Sequence, residues 1–331
     1  MKLKNILSDR HYQNWPSFHI IYEWENEISR ALDLPIKDSP IISNNFFIKT
    51  FNRIDNKLFN KKIAEFIEKI IQSKAISIYF ELYPKQHKWF SNRANVIPIT
   101  IDFWEKSTVE IFKYMYSDCP YLLITSLEVL NFLQHSGIKN KLIHFPLSLP
   151  SIYFLDPNSN IEKSYDIVLA GRTNSVLINY LKQYVASHPD IEYLYQVQED
   201  GEIYYHSNKT NIIKKVHSRE DYIKLINAAK VSFYSTAGID NAIEKKEGFN
   251  PVTPRFFELL AAGCHVLARY PENVETTFFE LNTICPSITS FTQFEDELEF
   301  ALKSPPPISR NAQYLSQHYT STRIDILKKL L

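Results

Sequence analysis

PVTPRFFELLAAGCHVLARY, residues 251–270, predicts a helix with a defined start and stop, followed at once by a buried strand. Thr253 is a suitable N-cap, and Pro254 suits the first helical position because an N–H there would be unpaired anyway. Gly263 supplies the left-handed residue that ends the helix before the apolar run CHVLA. Since the first-turn amides have no intrahelical acceptors, this helix start can bind an anion such as phosphate.

The same features also have a plainer interpretation. Every βαβ unit needs a capped helix with an apolar face and a glycine stop, so the pattern alone indicates an α/β protein and leaves a phosphate role open. Two charged residues add to the pattern. Arg255 places a permanent positive charge in the first turn, and Glu258 follows one turn later.

Strands and helices alternate along the rest of the chain, which predicts doubly wound parallel sheets. The predicted strands are 5–7, 75–82, 96–101, 121–125, 141–144, 166–170, 191–196, 231–235, 265–269 and a short one at 283–285. The predicted helices are 18–32, 57–73, 127–135, 176–187, 219–229, 254–262 and 321–331. The fold class is therefore α/β.

The length of 331 residues, with 44% hydrophobic residues, favours two domains over one. FPLSLPSIYFLDPNSN, residues 145–160, interrupts the periodicity with three prolines and a polar cluster, so we place the boundary there. SPPP at 304–307 ends the second domain. We expect domains at 1–148 and 149–310, with a helical segment at 311–331 that could pack back on the first domain.

Charge and glycine usage exclude several classes of protein. The 37 basic and 37 acidic residues cancel, which argues against nucleic acid as a partner. The first strand carries no GxGxxG loop, which argues against a dehydrogenase with its cofactor there, and no GxxxxGK[ST] motif of a P-loop enzyme occurs. Three cysteines without a CxxC pair indicate structural thiols in a reducing compartment.

The N-terminal sequence MKLKNILSDRHYQNW lacks the apolar core of a signal peptide, so we expect a cytoplasmic protein. Residues 57–74, KLFNKKIAEFIEKIIQSK, read as a basic amphipathic helix. Such a helix packs on a sheet with its lysines in water, and the alternative is a peripheral contact with the inner face of a membrane.

A second motif lies at the start of the second predicted domain, in YDIVLAGRTNSVLINYL, residues 165–181. Gly171 lets the backbone approach a ligand, and Arg172 offers a permanent charge. Thr173, Asn174 or Ser175 can cap the helix that follows, so a second helix start is directed to the same edge of the sheet. The alternative is a glycine turn with a surface arginine.

PRFFELLAAG followed by an apolar strand resembles the donor-binding segment of GT-B glycosyltransferases, particularly the CgeB-like group. This resemblance implies two Rossmann-like domains facing a central cleft, with a nucleotide-sugar donor bound by the second domain and the acceptor by the first. It implies that Thr253 and Arg255 lie against the donor diphosphate, together with Gly171 and Arg172, and that Glu258 hydrogen-bonds the ribose. We then expect Glu258→Ala to weaken nucleotide binding by about 1 to 3 kcal/mol and to leave the fold intact.

The residue that activates the acceptor is left open by the sequence. Asp9, His11 and His19 lie near the first strand, while Glu81 and Asp102 each follow an apolar strand, at the end where α/β sites form. Our candidates are Asp102, Asp9 and His19. A helix-capping or loop-fixing role is the alternative for Asp102, and surface positions are the alternative for the histidines.

The chain departs from the retaining GT-B pattern of two glutamates separated by seven residues. Asn250 occupies the position eight before Glu258, and Glu247 lies three positions too far away. The donor sugar is then held by Glu247, by Asn250, or by polar residues of STAGID, and the stereochemistry stays open. The scattered histidines and the lack of a DxD-like motif predict a reaction without a metal ion.

These observations together predict a glycosyltransferase that passes a sugar from a nucleotide-activated donor to a glycan, lipid-linked or protein acceptor. Two alternatives stay open. One is a nucleotide-sugar epimerase of the same architecture, and the other is a non-catalytic protein that binds nucleotide sugars or acts as a scaffold.

Overall fold

The computed structural model describes residues 3–11, 13, 18–39, 76–82, 96–117, 119–210, 213–241 and 248–330. The chain divides into two compact units. The first unit combines Met1–Pro146 with Thr320–Leu331, and the second unit is Leu147–Tyr319. Both are α/β, as the alternating pattern predicted.

The first unit is built on a parallel sheet with strand order β2-β1-β3-β4-β5-β6. Its described elements are β1 Leu3–Ser8, α1 His19–Leu32, β2 Ile36–Asp38, β3 Ile76–Glu81, β4 Val96–Thr100, α2 Val109–Tyr116, β5 Tyr121–Ile124, α3 Leu127–His135, β6 Lys141–His144 and α11 Thr320–Lys328. The strands read as short apolar runs because both faces of the sheet are covered. Ile6, Ile78 and Ile99 are fully buried at its centre.

The last helix, α11, belongs to the first unit although it follows the second unit in sequence. α11 packs against α1, and its Ile324 and Leu327 are buried. Arg323 Nε donates a hydrogen bond to the carbonyl of Pro146 at 3.1 Å. The predicted segment 311–331 is therefore divided, because Ile308–Leu315 lies in the second unit and Thr320–Lys328 in the first.

The second unit has a mixed sheet with strand order β10-β9-β8-β7-β11-β12. Its described elements are β7 Tyr165–Leu169, α4 Ser175–Ser187, β8 Tyr193–Glu199, β9 Glu202–Ser207, β10 Ile213–Val216, α5 Arg219–Asn227, β11 Ala229–Ser235, α6 Pro254–Ala261, β12 His265–Arg269, α7 Val274–Phe278, α8 Leu281–Ile284, α9 Phe291–Lys303 and α10 Ile308–Leu315. Buried side chains of β7, β11 and β12 pack against α4 and α9 to form its core.

Two expectations for this sheet are wrong. β9 pairs antiparallel with both β8 and β10, so the sheet is not parallel throughout. Asp200 and Gly201 both have positive φ and connect β8 to β9 by a two-residue turn, in which Glu199 pairs with Glu202. The strand predicted at 283–285 is also wrong, since α8 covers most of it.

Helix α6 has the start and stop that the sequence indicated. Thr253 is the N-cap by backbone geometry without a side-chain hydrogen bond, and Pro254 is the first helical residue. Gly263 has φ +69° and donates its N–H to Leu260 O at 2.9 Å, while Cys264 N donates to Leu259 O at 3.1 Å. This pair of hydrogen bonds is a Schellman motif, which satisfies carbonyls at the helix end.

The predicted amphipathic helix 57–74 lies outside the described residues. Within the described ranges, no helix is both long enough and apolar enough to cross a membrane. The three cysteines, Cys119, Cys264 and Cys285, are buried and form no disulfide.

Candidate functional site

In the second sheet, the order in which strands are added reverses between β7 and β11. β8 lies on one side of β7, and β11 lies on the other. Ligands of open α/β sheets bind beyond the carboxyl ends of the strands at such a switch point. Gly171 follows β7 and Thr236 follows β11, so both flank this point.

Arg255 joins the start of α6 to the loop after β7. Its Nη1 donates hydrogen bonds to the carbonyls of Ala170 at 3.1 Å and Arg172 at 2.8 Å. Gly171 has φ +69°, and a Cβ there would lie 3.0 Å from Arg255 Nη1. Gly171 N donates to Tyr205 Oη at 3.2 Å. The two motifs singled out in the sequence thus meet through one guanidinium group.

The start of α4 is capped by Asn174, one of the three residues that the sequence offered. Its Oδ1 accepts hydrogen bonds from Val176 N at 3.0 Å and Leu177 N at 3.1 Å. These two amides are therefore satisfied within the protein and are less available to an anion. Arg172 and Thr173, just before the cap, are exposed.

The α6 start is held from below by Tyr234. Tyr234 Oη accepts a hydrogen bond from Thr253 N at 3.0 Å, and burial raises the pKa of this tyrosine. The Arg255 guanidinium lies 5.6 Å from the centre of the Tyr234 ring. Arg255 Nε is buried and has no hydrogen-bond partner within the described part of the chain. The Thr253 N–H is thus already used within the protein, whereas Arg255 keeps an unused donor.

Glu258 forms a buried ion pair that the sequence did not indicate. Its Oε1 lies 2.7 Å from Arg219 Nη2, and the two side chains are 6% and 8% exposed. Arg219 is the first residue of α5, so the pair joins α5 to α6. Arg219 Nε also donates to Tyr153 Oη at 3.1 Å. A charged residue at the start of a helix is ordinary in sequence, and no local pattern pairs it with Glu258.

Asn250 lies in the loop between β11 and α6 and is tied to that loop. Its Oδ1 accepts a hydrogen bond from Thr236 Oγ1 at 2.9 Å, and its Nδ2 donates to Gly248 O at 3.1 Å. A Cβ on Gly238 would lie 2.4 Å from Phe249 O, so glycine is needed where the two ends of the loop approach each other. Glu247 lies outside the described residues.

Asp240 and Arg269 connect three strand ends at this edge. Arg269 donates from Nε to Asp240 Oδ2 at 2.6 Å and from Nη2 to Oδ1 at 2.8 Å. Asn174 Nδ2 donates to the same Oδ2 at 2.8 Å. The hydrogen bonds from Arg269 lower the pKa of Asp240. Asp240 was a sequence candidate for the donor sugar, whereas the arginine that pairs with it was missed.

The first unit has a pocket of about 300 Å³. It lies where β1 and β3 end, which is the switch point of the first sheet. The lining residues are Asp9, Gln13, Phe18, Ile21, Tyr22, Glu25, Tyr79, Phe80, Glu81 and Leu82. A pocket of this size is at the lower end of the range for small-molecule sites.

Three carboxyl groups line this pocket. Asp9 accepts hydrogen bonds from Tyr79 Oη at 2.7 Å and from the Ser39 hydroxyl. Glu81 accepts a hydrogen bond from the Tyr116 hydroxyl. The third carboxyl group is that of Glu25, a residue that the sequence reasoning missed.

Glu25 lies on the buried face of α1, between Ile21 and Ile28. Its Oε2 accepts hydrogen bonds from Ser8 Oγ at 2.6 Å and Arg10 Nη2 at 2.8 Å. Burial raises the pKa of Glu25 to about 7, although both hydrogen bonds oppose that shift. A glutamate on the apolar stripe of an amphipathic helix was the signal that could have found this residue.

The three predicted catalytic residues do not all reach the pocket. Asp9 lines it, whereas Asp102 and His19 are not among its lining residues. Asp102 is half-buried after β4, and its N–H donates to Leu82 O at 2.9 Å. His19 begins α1, with its ring 5.8 Å from that of Tyr22. Glu81, the other carboxylate after a strand, does line the pocket.

Within the described parts of both units, no three histidine, cysteine, aspartate or glutamate side chains gather in a way that could hold a metal ion.

Residues 182–328 match the family model described as glycosyl transferase-like. This match covers most of the second unit and includes Arg219, Asn250, Arg255 and Glu258. Residues 182–328 are thus glycosyl transferase-like in sequence, and the chain has the GT-B fold. A comparison with curated proteins gives no match.

Two solved structures are similar to this chain over its full length. Sucrose-phosphate synthase from Thermosynechococcus elongatus aligns with a TM-score of 0.56 at 10% identity, over 100% of this chain and 98% of that one. UDP-GlcNAc 2-epimerase from Methanocaldococcus jannaschii aligns with a TM-score of 0.50 at 10% identity, over 100% and 99%. At this identity the likeness shows the fold alone.

A chain of the GtfA/B complex is longer than this protein. The alignment has a TM-score of 0.47 at 10% identity and covers 82% of this chain but only 59% of that one. The chain thus spans less than two thirds of that protein.

Proposed function

We propose that this enzyme transfers a sugar from a nucleotide-activated donor to a glycan, lipid-linked or protein acceptor, without a metal ion. The observation that carries the proposal is the contact of Arg255 with the carbonyls on both sides of Gly171. This contact fixes a glycine loop and a helix start together at the switch point of the second sheet.

The donor diphosphate would lie against this junction. Gly171 allows its backbone to approach the phosphates, and Arg172 and Thr173 are exposed beside it. A helix start contributes about 0.3 to 1 kcal/mol towards an exposed anion, and up to about 2 kcal/mol when partly buried. Two α4 amides are already capped by Asn174, and at the α6 start Thr253 N and Phe256 N are bonded to Tyr234 Oη and Thr253 O. The Arg172 and Arg255 guanidinium groups would therefore supply most of the positive charge.

The remaining donor contacts are those that the resemblance to GT-B glycosyltransferases implies. Glu258 would accept hydrogen bonds from the ribose, and Asn250 is one of the candidates for holding the sugar. Negative charge develops on the leaving diphosphate, and fixed positive groups stabilise it without reorganisation during the reaction. Arg172 and Arg255 would serve this purpose in place of a metal ion.

For the acceptor, the pocket of the first unit supplies the candidate site. Asp9 lines it and is our first candidate for the base, since Asp102 and His19 do not. A base must come within hydrogen-bonding reach of the acceptor hydroxyl, so lining the pocket favours Asp9. Asp9→Asn should then reduce transfer to an acceptor more strongly than it reduces nucleotide binding.

The test is incubation with a panel of nucleotide sugars, with and without glycan acceptors, followed by assay of free nucleotide and of glycosylated product. Thermal-shift measurements with free nucleotides identify beforehand which nucleobase the donor carries. Product formation in the presence of EDTA supports metal-independent transfer. A strict requirement for an added divalent ion would contradict that part of the proposal.

A nucleotide-sugar epimerase is the second candidate, favoured by the full-length likeness to a UDP-GlcNAc 2-epimerase. The same incubation separates the alternatives. An isomerised donor without acceptor would indicate the epimerase, and donor binding without any turnover would indicate a non-catalytic binding protein.

A further inference from the structure

We infer that Arg219 is a positioning residue for the donor ribose, acting by holding the Glu258 carboxylate in one orientation. This inference rests on the proposed function, because it takes Glu258 as the group that receives the ribose hydroxyls. The contacts that support it lie entirely within the second unit.

The first argument is the cost of burying both charges. Glu258 and Arg219 are 6% and 8% exposed and lie 2.7 Å apart. Burying an ion pair costs several kcal/mol in desolvation, and a pair of well-packed apolar residues would give equal or greater stability. A pair retained at the switch-point side of α6 therefore indicates a use besides stability.

The second argument is that the arginine is fixed before it meets the carboxylate. Arg219 Nε donates to Tyr153 Oη at 3.1 Å, and its guanidinium carbon lies 5.1 Å from the centre of the Tyr153 ring. A guanidinium group presents its donors in a rigid plane, so fixing one edge fixes the other. Arg219 Nη2 is thereby placed as the ion-pair partner of Glu258 Oε1, at 2.7 Å.

The third argument is that one oxygen of the Glu258 carboxylate has unused hydrogen-bond acceptor sites. Glu258 Oε1 faces Arg219, whereas Oε2 makes no hydrogen bond to the described residues. An ionised carboxylate has about four acceptor sites, so Oε2 can accept hydrogen bonds from a ribose. Such charge-assisted hydrogen bonds are roughly twice as strong as hydrogen bonds between neutral groups.

Arg255 connects this ion pair to the phosphate junction. It lies about one turn before Glu258 on α6, and its Nη1 donates to the carbonyls on both sides of Gly171. The ion pair and the Gly171 loop are therefore close enough to contact different parts of one nucleotide.

The experiment compares a ribonucleoside diphosphate with its 2′-deoxy counterpart, using the base that binds the wild-type protein best. Dissociation constants are measured by calorimetry for the wild-type protein, Arg219→Met, Arg219→Lys and Tyr153→Phe. Lys224→Met, on the exposed side of the same helix, is the control for loss of one positive charge. Melting temperatures are recorded for all variants.

We expect the wild-type protein to prefer the ribonucleotide by about tenfold, a difference of about 1.4 kcal/mol. Arg219→Met should reduce this ratio to nearly one, while binding of the deoxynucleotide changes by less than about threefold. Arg219→Lys and Tyr153→Phe should each reduce the ratio by about threefold, and they decide the matter if Arg219→Met does not fold. Lys224→Met should leave the ratio unchanged.

An unchanged ratio in the Arg219 and Tyr153 variants, with or without a lower melting temperature, would show that the pair is structural only. A wild-type ratio of one would exclude a ribose contact at this position and would overturn the inference while leaving sugar transfer intact. If the wild-type protein binds no nucleoside diphosphate, both the inference and the proposed function are wrong.

Discussion

The carboxyl edges of the two sheets differ in the charged side chains beside their switch points. At the first sheet, Asp9 and Glu81 line a pocket together with a buried glutamate. At the second, Arg172 and Arg255 flank a glycine loop. Both edges lie at a switch point of an α/β sheet, so topology fixes where a ligand binds, and the local side chains decide which ligand it is.

Each unit also buries one glutamate against an arginine, and these pairs differ in their access to water. In the first unit, Arg10 Nη2 lies 2.8 Å from Glu25, and the arginine side chain is 28% exposed. In the second, Arg219 is only 8% exposed beside Glu258. Loss of the glutamate therefore leaves the solvent-accessible Arg10 unpaired in the first unit and the buried Arg219 unpaired in the second.

The largest expected effect comes from Glu258→Ala. An unpaired buried charge costs about 3 to 5 kcal/mol, so the second unit should lose about that much stability against urea. Glu25→Ala should cost less, because Arg10 can reach solvent. The double variant Glu258→Ala with Arg219→Met should recover much of the loss. Equal losses in the two single variants would remove the distinction between the pairs.

This expectation corrects the simpler one that Glu258→Ala leaves the fold intact. The sequence presented Glu258 as a ligand residue on the polar side of a helix, and the ion pair with Arg219 makes it part of the core as well. The nucleotide affinity of the Glu258→Ala variant therefore has to be measured without urea and at a temperature well below its melting point.

The second effect concerns pH and the first unit. The Glu25 pKa of about 7 lies above its ordinary value of 4.5. The stability that it contributes is thus full below pH 4.5 and is lost as the pH rises to about 7, by about 3 kcal/mol. Glu25→Gln should flatten this decline in urea titrations at pH 5 and pH 7.5.

His144 acts in the opposite direction, because burial lowers its pKa to about 4 and its contribution is lost on acidification. The comparison of the wild-type protein with Glu25→Gln cancels this background. A decline of the same size in both proteins would show that Glu25 does not control it.

A third, smaller effect separates two glycines of positive φ. An alanine Cβ at Gly171 would meet Arg255 Nη1 at 3.0 Å, whereas at Gly137 nothing lies within 4 Å. Both alanine variants should lose about 1 kcal/mol for the left-handed backbone. Only Gly171→Ala should also weaken nucleotide binding, measured by calorimetry. Equal binding in the two variants would argue against the Arg255 junction as the phosphate site.

The smallest effect compares two helix caps. Asn174 caps α4 through two amide hydrogen bonds of 3.0 and 3.1 Å, and Ser126 caps α3 through one of 3.5 Å. Asn174→Ala should cost about 1 kcal/mol and Ser126→Ala about 0.5 kcal/mol, by thermal unfolding. The reverse order would mean that the link from Asn174 to Asp240 contributes nothing.

Local signals made much of the fold predictable. The α6 start and stop depend on Thr253, Pro254 and Gly263, which act within one helix, and the structure confirms them. The hairpin of β8 and β9 was missed although Asp200-Gly201, between alternating residues, is a strong signal for a two-residue turn. That error came from reading a single pattern of parallel strands through the whole chain.

The sites were less predictable because their contacts join distant parts of the sequence. The rule that sites form after parallel strands pointed to Glu81, which lines the pocket, and to Asp102, which does not. It could not find Glu25, which is on a helix, or the partnership of Arg219 with Glu258, which joins two helices. Pairings of this kind depend on how helices pack, and neither periodicity nor motif spacing contains that information.

Because α11 completes the first unit, the order of synthesis differs from the order of the units along the chain. The ribosome releases every residue of the second unit before it releases Arg323, Ile324 and Leu327, which pack onto the first. During translation the first unit thus waits with its α11-binding surface uncovered, while the second can already be complete. Loss of the last helix would consequently damage the half of the protein that is made first.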